Sequence, residues 1–345
     1  MTSTPVKPQE PEPVSAAPVS SSSAPAEILS VTRLSPLLEP QLRARFTVHD
    51  RLHESDPAAF AELAPRIRGI AASGESKVSA ELIARLPALE VISVMGVGYD
   101  GIAVEAAKAR GVMVTHTPDV LNDDVADLAL ALMLATARQI PAADRFVREG
   151  QWLQGPMPLA RKLSGSRVGI VGMGRIGQAI AQRAAAFNMS VAYTARSAKP
   201  ELAWRYLPSA KALAAESDFL VVITPGGAAT RHLINAEVLA ALGSSSPARG
   251  ILVNVARGSV VDEPALIAAL QQGVIAGAGL DVFADEPRVP DALRALPQVV
   301  LTPHIGSATA ATRQAMADLA FANLAAHFDG RPCVTPVPEC RGASA

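Results

Sequence analysis

The sequence predicts an α/β protein made of two domains with parallel sheets. Short β-branched runs alternate with helical patterns from Glu27 to about Arg110, and a second alternating set runs from Val168 to Leu301. This alternation is typical of parallel strands joined by right-handed helical crossovers. With 345 residues, the chain is long enough for two domains of ordinary size.

The first alternating set contains five predicted strands and four predicted helices. The strands are 28–31, 46–48, 67–72, 91–95 and 112–115, and the helices are 37–44, 58–63, 79–86 and 104–110. After a break at 116–119, we expect Asp123 to cap a long helix from about Asp124 to Arg138, extending towards Glu149. Its Ala/Leu-rich pattern suits either a buried core helix or a subunit contact.

The second set opens with a glycine-rich turn between a predicted strand, 168–171, and a predicted helix, 176–187. Three glycines at this spacing provide a tight turn, close approach of the backbone to a pyrophosphate, and close packing of helix against strand. The segment therefore predicts a Rossmann dinucleotide site. Its residues are Gly172, Met173, Gly174, Arg175, Ile176 and Gly177. Further strands are predicted at 191–193, 219–223, 251–254, 276–280 and 299–301, and a helix at 310–328 returns to the first domain.

The end of the strand at 191–193 bears on the choice of dinucleotide. An acidic residue there would bind the ribose 2′-hydroxyl of NAD and repel a 2′-phosphate. The chain instead has Ala195, Arg196 and Ser197, with Lys199 nearby. Arg196 can bind a phosphate through two charged hydrogen bonds. We therefore expect NADP(H) rather than NAD(H), although Arg196 as a solvated strand-end charge would leave the preference weak.

Composition excludes several other classes. A formal net charge of −1 without a long basic block gives no indication of a nucleic-acid or membrane partner. The longest uncharged apolar run, 128–135, is too short to span a bilayer. Cys333 and Cys340 form neither a disulfide framework nor a metal-binding pattern, so no metal is expected. Residues 1–26, rich in Pro and Ser, predict a disordered tail without signal-peptide features, and hence a cytoplasmic protein.

Polar side chains follow three successive predicted strands of the second set. Arg257 comes after the strand at 251–254, Glu286 after that at 276–280, and His304 after that at 299–301. The carboxyl ends of parallel strands meet at one edge, so these side chains should share a cleft. A cation for a carboxylate, a proton donor for a carbonyl oxygen, and a carboxylate partner for that donor are what reduction of a 2-keto acid requires.

With these motifs the chain resembles the D-isomer-specific 2-hydroxyacid dehydrogenases, and within them the glyoxylate/hydroxypyruvate and hydroxyphenylpyruvate reductases. The resemblance extends from Val91 to Pro338. It is carried by six ordered segments, namely 95–100 (MGVGYD), 117–121 (TPDVL), the fingerprint helix, the Arg257 segment, 281–287 (DVFADEP) and 302–307 (TPHIGS).

The resemblance implies a substrate-binding domain at 27–122 plus 308–338, with an NADP-binding Rossmann domain at 123–307 inserted into it. Arg257 would bind the keto-acid carboxylate together with the amides of Val97 and Gly98, and His304 would be the acid/base with Glu286 as its partner. Asp281 would orient the nicotinamide carboxamide. Other expected cofactor-binding residues are Thr224, Pro225, Thr230, Val255, Ala256 and Gly306.

We expect NADPH-dependent reduction of hydroxypyruvate to D-glycerate and of glyoxylate to glycolate by a homodimer, with the helix near Asp124 as its interface. Val78, Val97 and 152–157 are expected to form an apolar side-chain pocket. Trp152, Arg231 and the loop 74–78 are weaker candidates for the substrate mouth, and that loop suits a solvated turn equally well. Open alternatives are an aromatic 2-keto acid reductase, an NAD-linked phosphoglycerate, D-lactate or formate dehydrogenase, and a non-catalytic corepressor of the C-terminal-binding-protein type.

Overall fold

The computed structural model describes residues 24–246 and 248–342 and contains two parallel sheets, as the sequence predicts. Of the tail predicted at 1–26, residues 1–23 lie outside the described part. The α/β class with two Rossmann-like halves is confirmed. The division at residues 122/123 and 307/308 stays a prediction.

The first sheet has five strands in the order β2-β1-β3-β4-β5, all parallel. These are β1 Glu27–Ser30, β2 Thr47–Asp50, β3 Ile67–Ser73, β4 Val91–Met95 and β5 Met113–Thr115. The helices of this half are α1 Glu39–Arg45, α2 Leu52–Ser55, α3 Pro57–Leu63, α4 Ala80–Ala84 and α5 Val104–Ala109.

The second sheet has seven strands in the order β12-β11-β10-β9-β6-β7-β8, again all parallel. These are β6 Arg167–Val171, β7 Ser190–Thr194, β8 Arg205–Tyr206, β9 Phe219–Val222, β10 Ile251–Asn254, β11 Gly277–Leu280 and β12 Val299–Leu301. The helices are α6 Asn122–Ala137, α7 Ile140–Arg148, α8 Arg175–Ala186, α9 Ala210–Ala215, α10 Ala236–Ala241, α11 Glu263–Gln271, α12 Asp291–Arg294 and α13 Ala310–Phe328.

The strand order of the second sheet reverses between β6 and β9, which are neighbours in the sheet but not in the chain. Such a switch point opens a crevice at the carboxyl ends of the strands, where open α/β sheets bind ligands. The glycine-rich turn after β6 lies at this point and contacts Ile223, which follows β9.

Two helices connect the halves. The long helix α6 packs on α8, β10 and β11, where Gly279 has no side chain that would separate it from Leu132 and Thr136. The C-terminal helix α13 returns to the first sheet and packs on β4. There the Ser93 hydroxyl donates a 2.9 Å hydrogen bond to the carbonyl of Ala320.

The prediction for the long helix is wrong in two respects. Its N-cap is Leu121 without a side-chain cap, and Asp123 lies in the first turn instead of capping it. The helix ends at Ala137 because Gln139 has a left-handed φ of 53°, and α7 continues at an angle of 58°. Eight residues of α6 are buried, as expected of a core helix, while the expected subunit contact stays a prediction.

No single helix in the described ranges is long and apolar enough to cross a membrane. The bent pair α6 and α7 reaches that length and hydropathy only when the two are taken together.

Candidate active site

The three strand-end side chains expected to meet do so at the carboxyl edge of the second sheet. Arg257 follows β10, Glu286 follows β11 and His304 follows β12. The Nδ1 atom of His304 lies 2.7 Å from a carboxylate oxygen of Glu286. Arg257 is close enough to oppose protonation of the imidazole.

The His304–Glu286 pair is electrostatically coupled. The hydrogen bond that His304 donates to Glu286 raises the pKa of His304 above its ordinary value, against the opposing effects of burial and of Arg257. Burial alone would raise the pKa of Glu286, but the bonds it accepts from His304 and from the amide of Phe283, the latter at 2.9 Å, lower it. The pair therefore favours an imidazolium facing a carboxylate.

His304 is held in a left-handed backbone conformation with φ of 53°. This conformation is uncommon for a residue other than glycine. Its amide nitrogen donates a 2.9 Å hydrogen bond to the carbonyl oxygen of Asp281. The buried Asp281 carboxylate accepts bonds from the Thr302 hydroxyl and from the amides of Ile305 and Gly306, at 2.6, 2.8 and 2.9 Å. Asp281 thus stabilises the loop that contains His304. Its expected contact with a nicotinamide stays a prediction.

Arg257 faces the first sheet across the cleft between the two halves. Its Nε donates to Asp100 at 3.3 Å and its Nη1 donates to the carbonyl of Ala256 at 2.8 Å. Its Nη2 lies where a side chain on Gly98 would begin, so any larger residue at position 98 would displace the guanidinium.

The loop after β4 presents backbone amides to the same cleft. The amides of Val97 and Gly98 donate to no acceptor within the described ranges, and both residues are partly exposed. The carbonyl of Val97 lies 3.0 Å from Nδ1 of His116, whose side chain is buried. Burial lowers the pKa of His116, so its neutral imidazole can donate to Val97 and fix the peptide between Val97 and Gly98.

The glycine-rich turn fits a pyrophosphate. Gly172 has a φ of 106°, and a side chain on Gly177 would collide with the carbonyl of Gly172. Among the described atoms, none lies within 4 Å of the position that a Cβ on Gly174 would take. The N-terminus of α8 has no side-chain cap, so its first amides are free to bind phosphate.

The remaining fingerprint residues have different environments. Met173 is buried and Ile176 half-buried. Arg175 is exposed and forms a 3.0 Å ion pair with Asp119 of the other half. At the end of β7, Ala195 is half-buried while Arg196 and Ser197 are exposed. Within the described ranges Arg196 makes no ion pair.

The other expected cofactor-binding residues lie at strand ends of the second sheet. Thr224 and Pro225 follow β9, and the Thr230 hydroxyl closes their loop by donating to the Pro225 carbonyl at 2.7 Å. Val255 and Ala256 follow β10 and are buried. Gly306 lies beside the Asp281 carboxylate. The geometry is compatible with a dinucleotide along this edge.

Some expected pocket residues are placed elsewhere. Val78 is fully buried in the core of the first half, so its prediction as a pocket residue is wrong. Trp152 lies in a surface turn, with 68% of its area exposed, and Arg231 is also exposed. Neither has a described contact with the side chains of Arg257, Glu286 or His304.

Two residues at the site were not assigned roles from the sequence. Asp100, the partner of Arg257, lies within the MGVGYD segment, which the sequence identifies only as a family motif. Glu75 belongs to the loop 74–78, and its carboxylate lies 3.2 Å from Nδ1 of His304. Both contacts join the two halves.

Known proteins are similar to this chain in sequence and in structure. Residues 130–306 match the family model described as D-isomer specific 2-hydroxyacid dehydrogenase, NAD binding domain. A hydroxyphenylpyruvate reductase of Plectranthus scutellarioides is 46% identical over 90% of this chain and 98% of its own. A glyoxylate/hydroxypyruvate reductase of Arabidopsis thaliana is 45% identical over the same shares.

A solved structure is also similar to this chain. The crystal structure of an NADPH-dependent glyoxylate/hydroxypyruvate reductase from Sinorhizobium meliloti, in complex with NADP and malonate, superposes with a TM-score of 0.85. It is 44% identical and covers 92% of this chain and 98% of that chain. With matches of this identity and extent, the chain belongs to the D-isomer-specific 2-hydroxyacid dehydrogenase family.

Proposed function

We propose that the protein is an NADPH-dependent reductase of small 2-keto acids, converting hydroxypyruvate to D-glycerate and glyoxylate to glycolate. The observation that carries this proposal is the His304–Glu286 hydrogen bond of 2.7 Å beside Arg257, at the carboxyl edge of a dinucleotide-binding sheet. The names of the reductases from Arabidopsis thaliana and Sinorhizobium meliloti support the substrate class and the coenzyme.

In this proposal the carboxylate of the keto acid binds Arg257 and the amides of Val97 and Gly98. A charged fork and two backbone donors match a carboxylate because each oxygen accepts more than one hydrogen bond. Asp100 holds the guanidinium through Nε, so Nη2 is left for the substrate. Substrate and Asp100 can then share one Arg257.

The reacting carbonyl receives its proton from His304. Nδ1 is engaged with Glu286, so Nε2 is the ring nitrogen left to hold a transferable proton. The raised pKa of His304, caused first by the Glu286 hydrogen bond, favours the protonated ring to higher pH than in an isolated histidine. When bound, the reduced nicotinamide supplies a hydride to the carbonyl carbon.

The dinucleotide would lie on the turn 172–177, with its 2′-phosphate at Arg196 and Ser197. Free amides at the start of α8 and an unpaired guanidinium in the described part of the chain support binding of both phosphate groups. Ala195 leaves room for the 2′-phosphate without a repelling carboxylate. NADPH is therefore expected to be used in preference to NADH.

A steady-state panel tests the proposal. Glyoxylate, hydroxypyruvate, phenylpyruvate and 4-hydroxyphenylpyruvate are each assayed with NADPH and with NADH. Fast oxidation of NADPH with the two small acids supports the proposal. Turnover confined to the aromatic acids would assign the protein to hydroxyphenylpyruvate reduction, as the Plectranthus relative's name suggests, and tight NADPH binding without turnover would indicate a dinucleotide-sensing corepressor.

We also propose a cytoplasmic homodimer, with its contact displaced from the helix named in the sequence analysis. Within the described ranges, five of the eight exposed large apolar side chains fall between residues 140 and 159, on α7 and the segment after it. They are Ile140, Val147, Trp152, Leu153 and Leu159. A concentration of this kind is typical of an interaction surface. The cytoplasmic location is supported by two unpaired cysteines.

A further inference from the structure

Glu75 is the one carboxylate of the described first half that lies against the proposed acid/base. It belongs to the loop that follows β3, whereas His304 follows β12 of the other sheet. The 3.2 Å distance between its Oε1 and Nδ1 of His304 therefore exists only while the two halves are close together. Nothing in the family fingerprint of the sequence assigns a role to this residue.

Two carboxylates thus share one imidazole nitrogen. Glu286 is the nearer, at 2.7 Å, and is held by the amide of Phe283, so it defines the ring orientation. The side chain of Glu75 is 66% exposed and reaches the same nitrogen from the opposite side of the cleft. Only one N–H is available there, so Glu75 acts mainly through its charge.

We propose that Glu75 is a positioning residue for His304, whose carboxylate stabilises the protonated imidazole when the two halves close on each other. The proposal rests on the proposed reductase function. It means that the proton donor is charged most readily in the conformation in which the cleft is closed around substrate. By reciprocity, protonation of His304 favours the closed conformation.

Charged groups of both halves surround His304. From the second sheet, Glu286 favours the charged ring and Arg257 opposes it, while the Asp281 carboxylate is engaged by backbone amides of the same loop. From the first sheet Glu75 also raises the pKa of His304, after the larger contribution of Glu286. Lys77 of the same loop acts on Asp285, whose pKa is lowered first by Arg288.

The expected size of the effect of Glu75 on His304 follows from the exposure of the Glu75 side chain to solvent. An exposed ion pair is screened by water and salt and contributes little, commonly up to about fivefold in an equilibrium constant. Removing the Glu75 charge should therefore change the protonation equilibrium of His304 by about two- to fivefold. Glu286, which is more buried, should have the larger influence.

The test compares pH profiles of kcat/KM for NADPH-dependent hydroxypyruvate reduction. Glu75→Gln should match the unmodified enzyme on the acid plateau and fall about two- to fivefold below it on the alkaline limb. Glu75→Asp, which keeps the charge, should lie between them. Glu62→Gln, which removes an exposed charge from α3 of the same half, should leave the profile unchanged. Added salt should move the unmodified profile towards that of Glu75→Gln.

A second readout does not depend on turnover. The imidazole of His304 is titrated by proton NMR in the protein without substrate, with its signal assigned by its loss in His304→Asn. The midpoint should be lower in Glu75→Gln than in Glu62→Gln. Coincident profiles and coincident titrations of these two variants would overturn the role of Glu75. An unmodified protein that reduces no 2-keto acid would instead refute the proposed function, while the NMR titration would still decide whether Glu75 acts on His304.

Discussion

At the scale of single residues, the imidazole of His304 is the group on which the proposed chemistry depends. Its Nδ1 faces Glu286 at 2.7 Å, and its pKa is raised mainly by that hydrogen bond. A raised pKa means that the ring of His304 stays protonated to a higher pH than the ring of an isolated histidine does. Keto-acid reduction needs the protonated ring, so its rate should fall as pH rises through the raised value.

Replacing Glu286 with Gln removes the main cause of that raised pKa. The alkaline fall of kcat/KM for reduction should therefore move towards acid, measured as a pH profile with hydroxypyruvate and NADPH. Oxidation of D-glycerate, which needs the neutral ring, should shift in the same direction and become faster at low pH. A reduction profile with an unchanged midpoint would contradict the assignment of Glu286 as the partner of His304.

Gly98→Ala provides a test of the carboxylate site. The added Cβ would occupy the position of Arg257 Nη2, which is the far end of a flexible side chain and can move aside. Thermal stability should hardly change, whereas KM for the keto acid should rise about ten- to a hundredfold through loss of a charged hydrogen bond. An unchanged KM together with an unchanged melting temperature would show that Arg257 does not bind the substrate carboxylate.

Part of this site was predictable from the sequence and part was not. Arg257, Glu286 and His304 each follow a strand of one parallel sheet, and the carboxyl ends of such strands share an edge whatever the details. Asp100 and Glu75 reach the site from the other sheet. Local sequence patterns do not encode the relative placement of two sheets, so these partners became visible only in the structure.

At the scale of elements, the strands were predicted more accurately than the helices. Buried β-branched runs mark β4, β10 and β12 within their observed limits. The predicted helix runs past the observed end of α6 because the left-handed turn at Gln139 lacks the glycine that usually marks a helix end. The sequence pattern predicts neither α9 nor α10, because each has six residues and is shorter than the two turns over which a helical period can be recognised.

The preference for NADPH over NADH is predicted from the residues at the end of strand β7. Combining Ala195→Asp with Arg196→Ala adds a carboxylate that repels a 2′-phosphate and removes the guanidinium that binds it. KM for NADPH should rise about ten- to a hundredfold and KM for NADH should fall. Arg33→Asp, at an exposed position in the first half, changes the net charge by the same two units and serves as the charge-matched control. Equal efficiency of the unmodified enzyme with both coenzymes would contradict the prediction.

At the scale of the whole molecule, two sheets face each other across a cleft that ion pairs cross. The described contacts between Arg257 and Asp100, between His304 and Glu75 and between Arg175 and Asp119 each join one half to the other. Binding of substrate and dinucleotide at these residues would replace or reinforce such contacts. Catalysis and closure of the cleft are therefore expected to be coupled.

The homodimer contact is predicted to lie on the apolar segment 140–159. Val147→Glu combined with Leu153→Glu places charges on side chains that are 56% and 94% exposed, so folding of the single chain should be unaffected. Light scattering after size-exclusion chromatography should show a dimer for the unmodified protein and a monomer for the variant. Leu37→Glu, also at an exposed apolar position, should remain dimeric. A variant that stays dimeric would place the contact elsewhere.

The most direct test of the proposed reaction is the chirality of its product. Hydroxypyruvate is reduced with NADPH, and the glycerate formed is resolved into its enantiomers. The proposed function predicts D-glycerate as the product, and His304→Asn, which tolerates the left-handed backbone, should lower the rate about 10²- to 10⁴-fold. Formation of L-glycerate, or D-glycerate formed at an undiminished rate by the His304 variant, would contradict it.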